Sequence, residues 1–506
     1  MNLGAILTNT VEKYPDRTAL IHLESRWTYE ELNSRVNRLA DALVKMGVKK
    51  GDGIALMFFN SNHFVEVYFA TIKIGAVAVP VNFRFVGPEI VHIINDSEAT
   101  TFFYGNEFHE IISECLPRLN HVRRFITVDS PDTTLAADYE RFLSEGEISE
   151  PGVPVTEDDI CQIMYTSGTT GKPKGAVITQ RAVMWNMVNT IWGREDQEAE
   201  IALIIGPLYH TAALNNHLTI QVALGGTSIL IKKFDPVHVL EVIQRERVTT
   251  ISGAPTMYHL LLQHPDAHKF DTSSITKCTA GSAILPGETK RRLETFFPNI
   301  SGIYDVYGCT EAAPSITSLK GEDAERKHGS VGRVLPFLQV RIVDDADQPV
   351  PADTVGELIC RGPNVMQGYH GQPEATRETL RGGWLHTGDM ARMDKEGFIT
   401  IVDRKKDMII SGGENISPRE VEEVLLIHPF IDDAAVVGVA EDVWGEAVRA
   451  FVVIQPGAEL TETDVIRHCR RHLASYKKPK YVSFVDDIPR NPSGKILKTE
   501  LRQLPL

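Results

Sequence analysis

This sequence predicts an α/β fold: a large, multi-subdomain N-terminal domain with mixed sheets, followed by a small α+β C-terminal domain. Three observations predict it. At 506 residues the chain is longer than one hydrophobic core supports. Apolar strand-like runs alternate with segments of helical periodicity, the pattern of βαβ units. Charge then concentrates abruptly in Asp403-Arg404-Lys405-Lys406-Asp407, between two apolar strands, and about 100 residues beyond it read as a compact unit of their own.

The first well-marked helix starts at Thr28. Thr28 and Glu31 fit a capping box. Leu32, Val36, Leu39, Leu43 and Met46 recur at four–three spacing, and Gly47 follows as a C-cap. Residues 53–59 read as a strand, 65–74 as a helix and 76–80 as a second buried strand, which together make a parallel βαβ unit. Residues 126–158 are polar and poor in pattern and read as a connector. Then come a strand at 160–165, a helix at 182–191, strands at 201–206 and 226–231, a helix at 236–245 and a strand at 248–252. In the last part, Ser417 and Glu420 fit a capping box with Pro418 at the first helical position, opening a helix through Leu426. Residues 434–439, 450–454 and 481–485 read as strands and 461–473 as a helix. There is no internal repeat and no low-complexity tract.

With 42% hydrophobic and 24% charged residues, the composition is that of an ordinary globular protein. A net charge of −15 argues against nucleic acid or an anionic membrane as the main partner, so a bound nucleotide must be held by a local positive site. The six cysteines, Cys115, Cys161, Cys278, Cys309, Cys360 and Cys469, form no C-x-x-C pair, and most sit in apolar surroundings and read as buried free thiols of a reducing compartment. The N-terminal stretch carries Glu12, Lys13, Asp16 and Arg17 without a long apolar core, and no apolar run reaches spanning length. A cytoplasmic protein with no signal peptide and no integral membrane segment is therefore expected. Nothing in the sequence reads out oligomeric state, and a homodimer stays open.

The densest chemical signal is Tyr165-Thr166-Ser167-Gly168-Thr169-Thr170-Gly171-Lys172-Pro173-Lys174-Gly175. Its glycines let the backbone approach a bulky anion, its hydroxyls donate, and its lysines bring mobile positive charge. It is not a Walker A loop: Gly168 and Gly171 enclose only two residues, and Pro173 stands where a metal-binding hydroxyl belongs. Taken alone, a Gly/Ser/Thr cluster is more often a surface turn. Downstream, Pro207-Leu208-Tyr209-His210 ends a strand. Thr279-Ala280-Gly281-Ser282-Ala283 is small and flat enough for a purine face to lie on, although tight packing explains it equally well. In Asp305-Val306-Tyr307-Gly308-Cys309-Thr310-Glu311 the Tyr307 ring suits adenine, Asp305 offers an acceptor to an exocyclic amine, Thr310 a donor to a phosphate oxygen and Glu311 an oxygen ligand to Mg²⁺. Gly356-Glu357-Leu358, Arg361-Gly362-Pro363 and Gly368-Tyr369 follow. In Trp384-Leu385-His386-Thr387-Gly388-Asp389, Asp389 offers a carboxylate, in what reads as a glycine turn, to the hydroxyls of a ribose. The chain closes on Ser411-Gly412-Gly413-Glu414-Asn415 and Pro489-Arg490-Asn491-Pro492-Ser493-Gly494-Lys495-Ile496-Leu497-Lys498.

Over nearly its whole length, and in this order, the chain resembles the adenylate-forming superfamily of acyl-CoA synthetases, luciferases and nonribosomal peptide synthetase adenylation domains. It is most similar to bacterial AMP-forming acyl-CoA synthetases of the fatty-acid type, then to coumarate- and ferulate-type ligases. Cys309 stands at the variable position of the family's Tyr-Gly-x-Thr-Glu motif and bears only on the pocket wall. The resemblance implies ATP, Mg²⁺ and coenzyme A as reactants and a small carboxylic acid as substrate. It implies that residues 166–174 hold the phosphates and that Gly281, Ser282, Ala283, Asp305, Val306, Tyr307 and Gly308 hold the adenosine. Asp389 and Arg404 would hold the ribose. His210 would flank the carboxylate tunnel, with Thr211, Ala212, Ala213, Asn216 and Cys309 lining it; the two alanines leave room for a long or bulky acyl group. It implies domains at 1–402 and 407–506 joined by a hinge at 403–406, with Lys406 at the pivot and Lys495 as the catalytic lysine of a mobile C-terminal domain. Gly412-Gly413 would serve the thiol step beside a pantetheine tunnel. A medium- or long-chain fatty acid is the first expectation. An aryl acid, and a carrier protein in place of free CoA, stay open, and a luciferase-like oxidase or a non-catalytic nucleotide binder is disfavoured. With no G-x-S-x-G anywhere, a serine hydrolase is disfavoured too.

Overall fold

The computed structural model describes residues 2–129, 135–166, 173–281, 285, 287–411, 414–441, 445–490 and 496–505. The chain forms two compact units, Met1–Val340 with Cys360–Leu385, and Arg341–Ile359 with His386–Leu506.

The first unit is built on two mixed sheets. One runs in the order Gly368–Tyr369, Lys174–Thr179, Ile160–Thr166, Val77–Pro80, Gly53–Met57, Thr101–Gly105, Arg124–Val128, Ala137–Asp138. Pairing is parallel from Ile160–Thr166 outward to Ala137–Asp138 and antiparallel on the Lys174 side. The other runs Arg333–Val334, Ser315–Leu319, Gly302–Gly308, Lys277–Gly281, Thr250–Gly253, Ile201–Ile204, Thr227–Leu230, Thr18–His22, Ser25–Thr28. It is parallel through the middle and antiparallel at both rims. The central strands are covered on both faces, which is why Gly53–Met57 and Thr101–Gly105 are buried at every position and read as continuous apolar runs.

Helix signals translate directly. Tyr29–Lys45 begins on the Thr28–Glu31 capping box and buries Leu32, Val36, Leu39 and Leu43. Asn62–Lys73 starts three residues before the expected 65–74, because Ser61 accepts from the Phe64 N–H and caps it. The connector expected at 126–158 is partly structured. It contains the end of the Arg124–Val128 strand, the Ala137–Asp138 strand and a helix, Tyr139–Ser144. The Tyr139 hydroxyl donates to buried Glu66 at 2.7 Å, and a two-residue edge strand is too short to show a period.

The second unit carries most of a four-stranded sheet in the order Gln339–Val343, Gly356–Arg361, Leu385–Met393, Ile399–Arg404. Its other sheet runs Glu414–Ile416, Ile409–Ser411, Gly445–Ile454, Ile431–Glu441, with Tyr481–Phe484 added parallel to Gly445–Ile454. Val421 and Leu425 of helix Pro418–Leu426, and Val465 and Cys469 of helix Glu462–His472, pack on Val436, Ala450 and Val452. Only half of the expected capping box at Ser417 forms. Ser417 accepts from the Glu420 N–H, but the Glu420 carboxylate is held by Lys477 at 2.7 Å through both oxygens. Thr461 and Asp464 make a complete box instead.

Five cysteines are buried and Cys309 is half-buried, all as free thiols. Burial pushes the Cys360 thiol up to about 12. Among the described residues, no helix is long and apolar enough to cross a membrane.

Candidate active site

Strands Ile160–Thr166 and Lys174–Thr179 form a hairpin in which Thr166 stands directly opposite Lys174. The residues between them that were expected to hold phosphate, Ser167, Gly168, Thr169, Thr170, Gly171 and Lys172, lie outside the described residues, as do Ser282, Ala283, Gly412, Gly413 and Lys495. The far edge of the Lys174 strand pairs with Gly368–Tyr369, so that Tyr369 stands opposite Ala176. This puts the Lys174 Nζ 5.2 Å from the centroid of the Tyr369 ring. The Tyr369 hydroxyl donates to Glu311 Oε1 at 2.8 Å, and the Glu311 carbonyl accepts the Met366 N–H at 2.8 Å. Burial, then the Glu311 charge, holds the Tyr369 phenol well above its usual range, so it stays protonated and donates.

The expected adenosine residues come from two adjacent parallel strands. Ala280 of Lys277–Gly281 pairs with Asp305 of Gly302–Gly308, and Gly281 pairs with Val306. A Cβ built on Gly281 would lie 3.6 Å from the Val306 carbonyl, an ordinary contact, so packing alone does not demand glycine there. Gly308 differs: a Cβ would fall 1.8 Å from the Pro314 carbonyl oxygen. Asp305 is buried, and Lys290 takes its Oδ2. Its Oδ1 is buried and makes no hydrogen bond of good geometry among the described residues, although the Leu285 N–H lies near enough to lower the carboxyl's pKa. Burial raises the Asp305 carboxyl and the Lys290 ammonium opposes that shift. Tyr307 is half-buried, and Thr310 begins the short turn Thr310–Ala312 behind Cys309.

The Ile201–Ile204 strand ends two residues before the expected 206 and hands over to the His210 loop. His210 is half-buried and precedes the turn Thr211–Ala213; its N–H donates to the Pro207 carbonyl at 3.0 Å. Thr211 Oγ1 donates to Thr310 Oγ1 at 3.3 Å, which ties this loop to the Thr-Glu motif. Ala212 is half-buried, Ala213 is buried, and Asn216 lies in a π-helical turn, Leu214–Leu218. Its carboxamide accepts from Asn186 at 2.8 Å and donates to Ser315 at 2.9 Å. Sequence reasoning missed Asn60, which is 3% exposed. Its carboxamide accepts the Leu208 N–H and donates to the Gly206 carbonyl, both at 2.8 Å, and so pins the His210 loop.

In the second unit, Asp389 does not sit in a glycine turn as expected. It lies inside strand Leu385–Met393, directly opposite Arg404 of Ile399–Arg404. The turn-like feature is local: Gly388 alone takes φ +70°, and its N–H donates to Glu357 at 3.2 Å. Arg404 Nε lies 2.9 Å from Asp389 Oδ1, and its Nη1 donates to the Thr387 carbonyl at 3.1 Å. Lys406 stands in the turn that follows, where burial lowers its pKa. The expected hinge at 403–406 thus begins on the end of this strand.

Among the described residues, no group of three or more His, Cys, Asp or Glu is arranged to hold a metal ion. A magnesium ion that arrives with ATP needs less, because one or two carboxylates suffice when phosphates supply the remaining oxygens. Glu311 fits that requirement. It is half-buried and acceptor-only, with one carboxylate oxygen fixed by Tyr369.

Residues 7–370 match the family described as AMP-binding enzyme, and residues 420–495 match the AMP-binding enzyme C-terminal domain. The chain is 40% identical over 502 residues to a feruloyl-CoA synthase of Amycolatopsis sp., covering 99% of this chain and 98% of that protein. It is 35% identical over 511 residues to the long-chain-fatty-acid–CoA ligase FadD13 of Mycobacterium tuberculosis, covering 99% and 98%. Its structure superposes on that of the anthranilate CoA ligase AuaEII in complex with anthranoyl-AMP with a TM-score of 0.92, at 26% identity and covering 99% and 96% of the two chains. The chain belongs to the AMP-binding enzyme family.

Proposed function

We propose that this chain is an AMP-forming acid–CoA ligase, which joins a hydrophobic carboxylic acid to AMP and then passes the acyl group to coenzyme A. The observation that carries the reading is the convergence of Lys174, Tyr369, Glu311, Thr310 and Thr211 in one connected set beside the Asp305–Gly308 strand end. A carboxylate is a poor acyl donor because oxide is a poor leaving group; esterified to AMP it leaves as a stabilised phosphate. In the first step the carboxylate attacks the α-phosphorus in line and pyrophosphate departs. Negative charge meets negative charge, so donors and cations aimed at the phosphates set the rate.

In this reading Thr166–Lys174 cradle the phosphates, Thr310 donates to a phosphate oxygen, and Lys495 adds a cation to the reacting phosphoryl group. Gly281–Ala283 and Asp305–Gly308 take the adenine, with Asp305 Oδ1 as acceptor, and Asp389 and Arg404 take the ribose. Mg²⁺, held on Glu311 and the phosphates, would neutralise developing charge. His210, Thr211, Ala212, Ala213, Asn216 and Cys309 form the acyl wall. In the second step the CoA thiol attacks the acyl-adenylate carbonyl and AMP leaves. Exchange of Lys495 for Gly412-Gly413, by rotation at 403–406 with Lys406 at the pivot, separates the steps.

The room left by Ala212 and Ala213 favours a medium- or long-chain fatty acid. A second reading, an aryl-propenoic or related aromatic acid, is favoured by the 40% identity to a protein named feruloyl-CoA synthase, against 35% for the long-chain ligase. Pyrophosphate release measured with ATP and Mg²⁺ over aliphatic, cinnamic and benzoic acids, with and without CoA, tests both. Release that rises with CoA and peaks on long aliphatic acids supports the first, and a peak on cinnamates supports the second. Release indifferent to CoA points to a carrier protein as acceptor, and no release with any acid contradicts the ligase reading.

A further inference from the structure

Tyr369 belongs to a two-residue strand, Gly368–Tyr369, yet its side chain bonds one and faces the other of two charged groups at the proposed phosphate end of the site. Its hydroxyl donates to Glu311 Oε1 at 2.8 Å, while the Lys174 ammonium lies 5.2 Å from its ring centroid. Backbone pairing fixes this placement. Tyr369 is in register with Ala176, two residues from Lys174, and the His370 N–H donates to the Gly175 carbonyl at 2.8 Å. Met366, three residues earlier, donates its N–H to the Glu311 carbonyl, so one short segment grips both the Lys174 strand and the Glu311 turn. Lys174 and Glu311 carry opposite charges on neighbouring elements but form no ion pair with each other.

We propose that Tyr369 is a positioning residue for the metal–phosphate site. The phenol aims one oxygen of Glu311 and leaves the other for a divalent cation, and the ring holds the Lys174 ammonium back so that lysine and carboxylate do not neutralise each other. An ammonium over an aromatic face is attracted without giving up its hydrogen-bond donors to an anion, so Lys174 stays available to phosphate. A carboxylate that already accepts one strong hydrogen bond loses little freedom when it takes up a metal, which is how outer partners raise metal affinity. The inference rests on the ligase reading above and gives a role to a residue that reading counts in the site but assigns no part in the reaction.

Two variants separate the phenol from the ring. Tyr369→Phe keeps the ring and removes the hydroxyl; Tyr369→Leu removes both. Binding of ATP is titrated against Mn²⁺ by calorimetry and by the electron spin resonance of the bound ion. The second half-reaction is measured separately by supplying acyl-adenylate and CoA, when the pyrophosphate end of the site is empty. The proposal expects the Mn²⁺ concentration needed for ATP binding to rise about ten-fold in Tyr369→Phe and further in Tyr369→Leu, the scale on which outer partners tune metal affinity. The rate from supplied acyl-adenylate should stay at the wild-type level in Tyr369→Phe. An unchanged Mn²⁺ requirement overturns the proposal, and so does an equal loss in both half-reactions, which marks Tyr369 as a structural strut. Wild-type protein that releases no pyrophosphate with any acid overturns the ligase reading instead.

Discussion

Arg404 Nε lies 2.9 Å from Asp389 Oδ1, across directly paired positions of two antiparallel strands. Two charged residues 15 positions apart are thus presented as one unit, with the Arg404 guanidinium also donating to the Thr387 carbonyl. The pair is pre-organised, so under the proposed function neither side chain would have to be ordered to bind a ribose.

Asp389→Asn keeps the shape and removes the charge. Hydrogen bonds to charged groups are worth about 1.5–3 kcal/mol, so the KM for ATP should rise about ten-fold or more while the KM for the acid changes little. Steady-state kinetics with each substrate varied in turn checks this. Equal rises in both constants would show that Asp389 acts through general stability.

Asn60 pins the His210 loop through two backbone groups. Asn60→Ala leaves the Leu208 N–H and the Gly206 carbonyl without their partner. A loss of about 1–3 kcal/mol in urea unfolding is expected, together with a larger effect on the KM for the acid than on that for ATP. A variant that is destabilised but keeps both KM values would place Asn60 in the scaffold alone.

His217 Nδ1 accepts from Arg194 at 3.1 Å, so the ring is neutral in the native protein. Burial, then the charges of Arg194 and Lys277, hold its pKa well below the ordinary value. In the unfolded chain a histidine titrates near ~6.5, so below that pH the unfolded state binds a proton that the native state does not. Stability should therefore fall as pH drops from about 6.5, by up to about 1.4 kcal/mol per pH unit from this group. His217→Gln should show a shallower decline in urea unfolding between about pH 7.5 and 5.5. Identical slopes would mean that His217 protonates in the native state.

How far the site was readable depended on whether partners were local in sequence. Thr310-Glu311, Asp389, Arg404 and Lys174 stand in motifs that mark them as candidate site residues, and the helix beginning at Thr28 declares itself by its own cap. Partners brought in by the sheets leave no such local mark. Asn60 is 146 positions from Gly206, and Tyr369 is 58 from Glu311. No spacing rule links such pairs. Gly388 is a turn residue and suggests a turn at Asp389, but its positive φ is absorbed inside the strand Leu385–Met393. The Glu420 box failed for the same kind of reason, since Lys477 outcompetes the helix N-terminus for the carboxylate. Tertiary partners override local rules when they bring a full charge.

Lys495→Ala should abolish formation of the acyl-adenylate yet leave the conversion of supplied acyl-adenylate and CoA to thioester near the wild-type rate, because in the proposed mechanism the lysine serves only the phosphoryl step. Quenched-flow assays of the two half-reactions check this. Equal loss in both would contradict the separation of the steps.

The most direct test of the central claim is a single turnover. Enzyme in excess is mixed with ATP labelled at the α-phosphate, Mg²⁺ and the preferred acid, first without CoA and then with a CoA chase. The account predicts acid-dependent pyrophosphate release with the label retained on the enzyme as acyl-adenylate, followed on the chase by free AMP and one equivalent of acyl-CoA. Release of ADP and phosphate, or acyl-CoA formed with no adenylate preceding it, would contradict it.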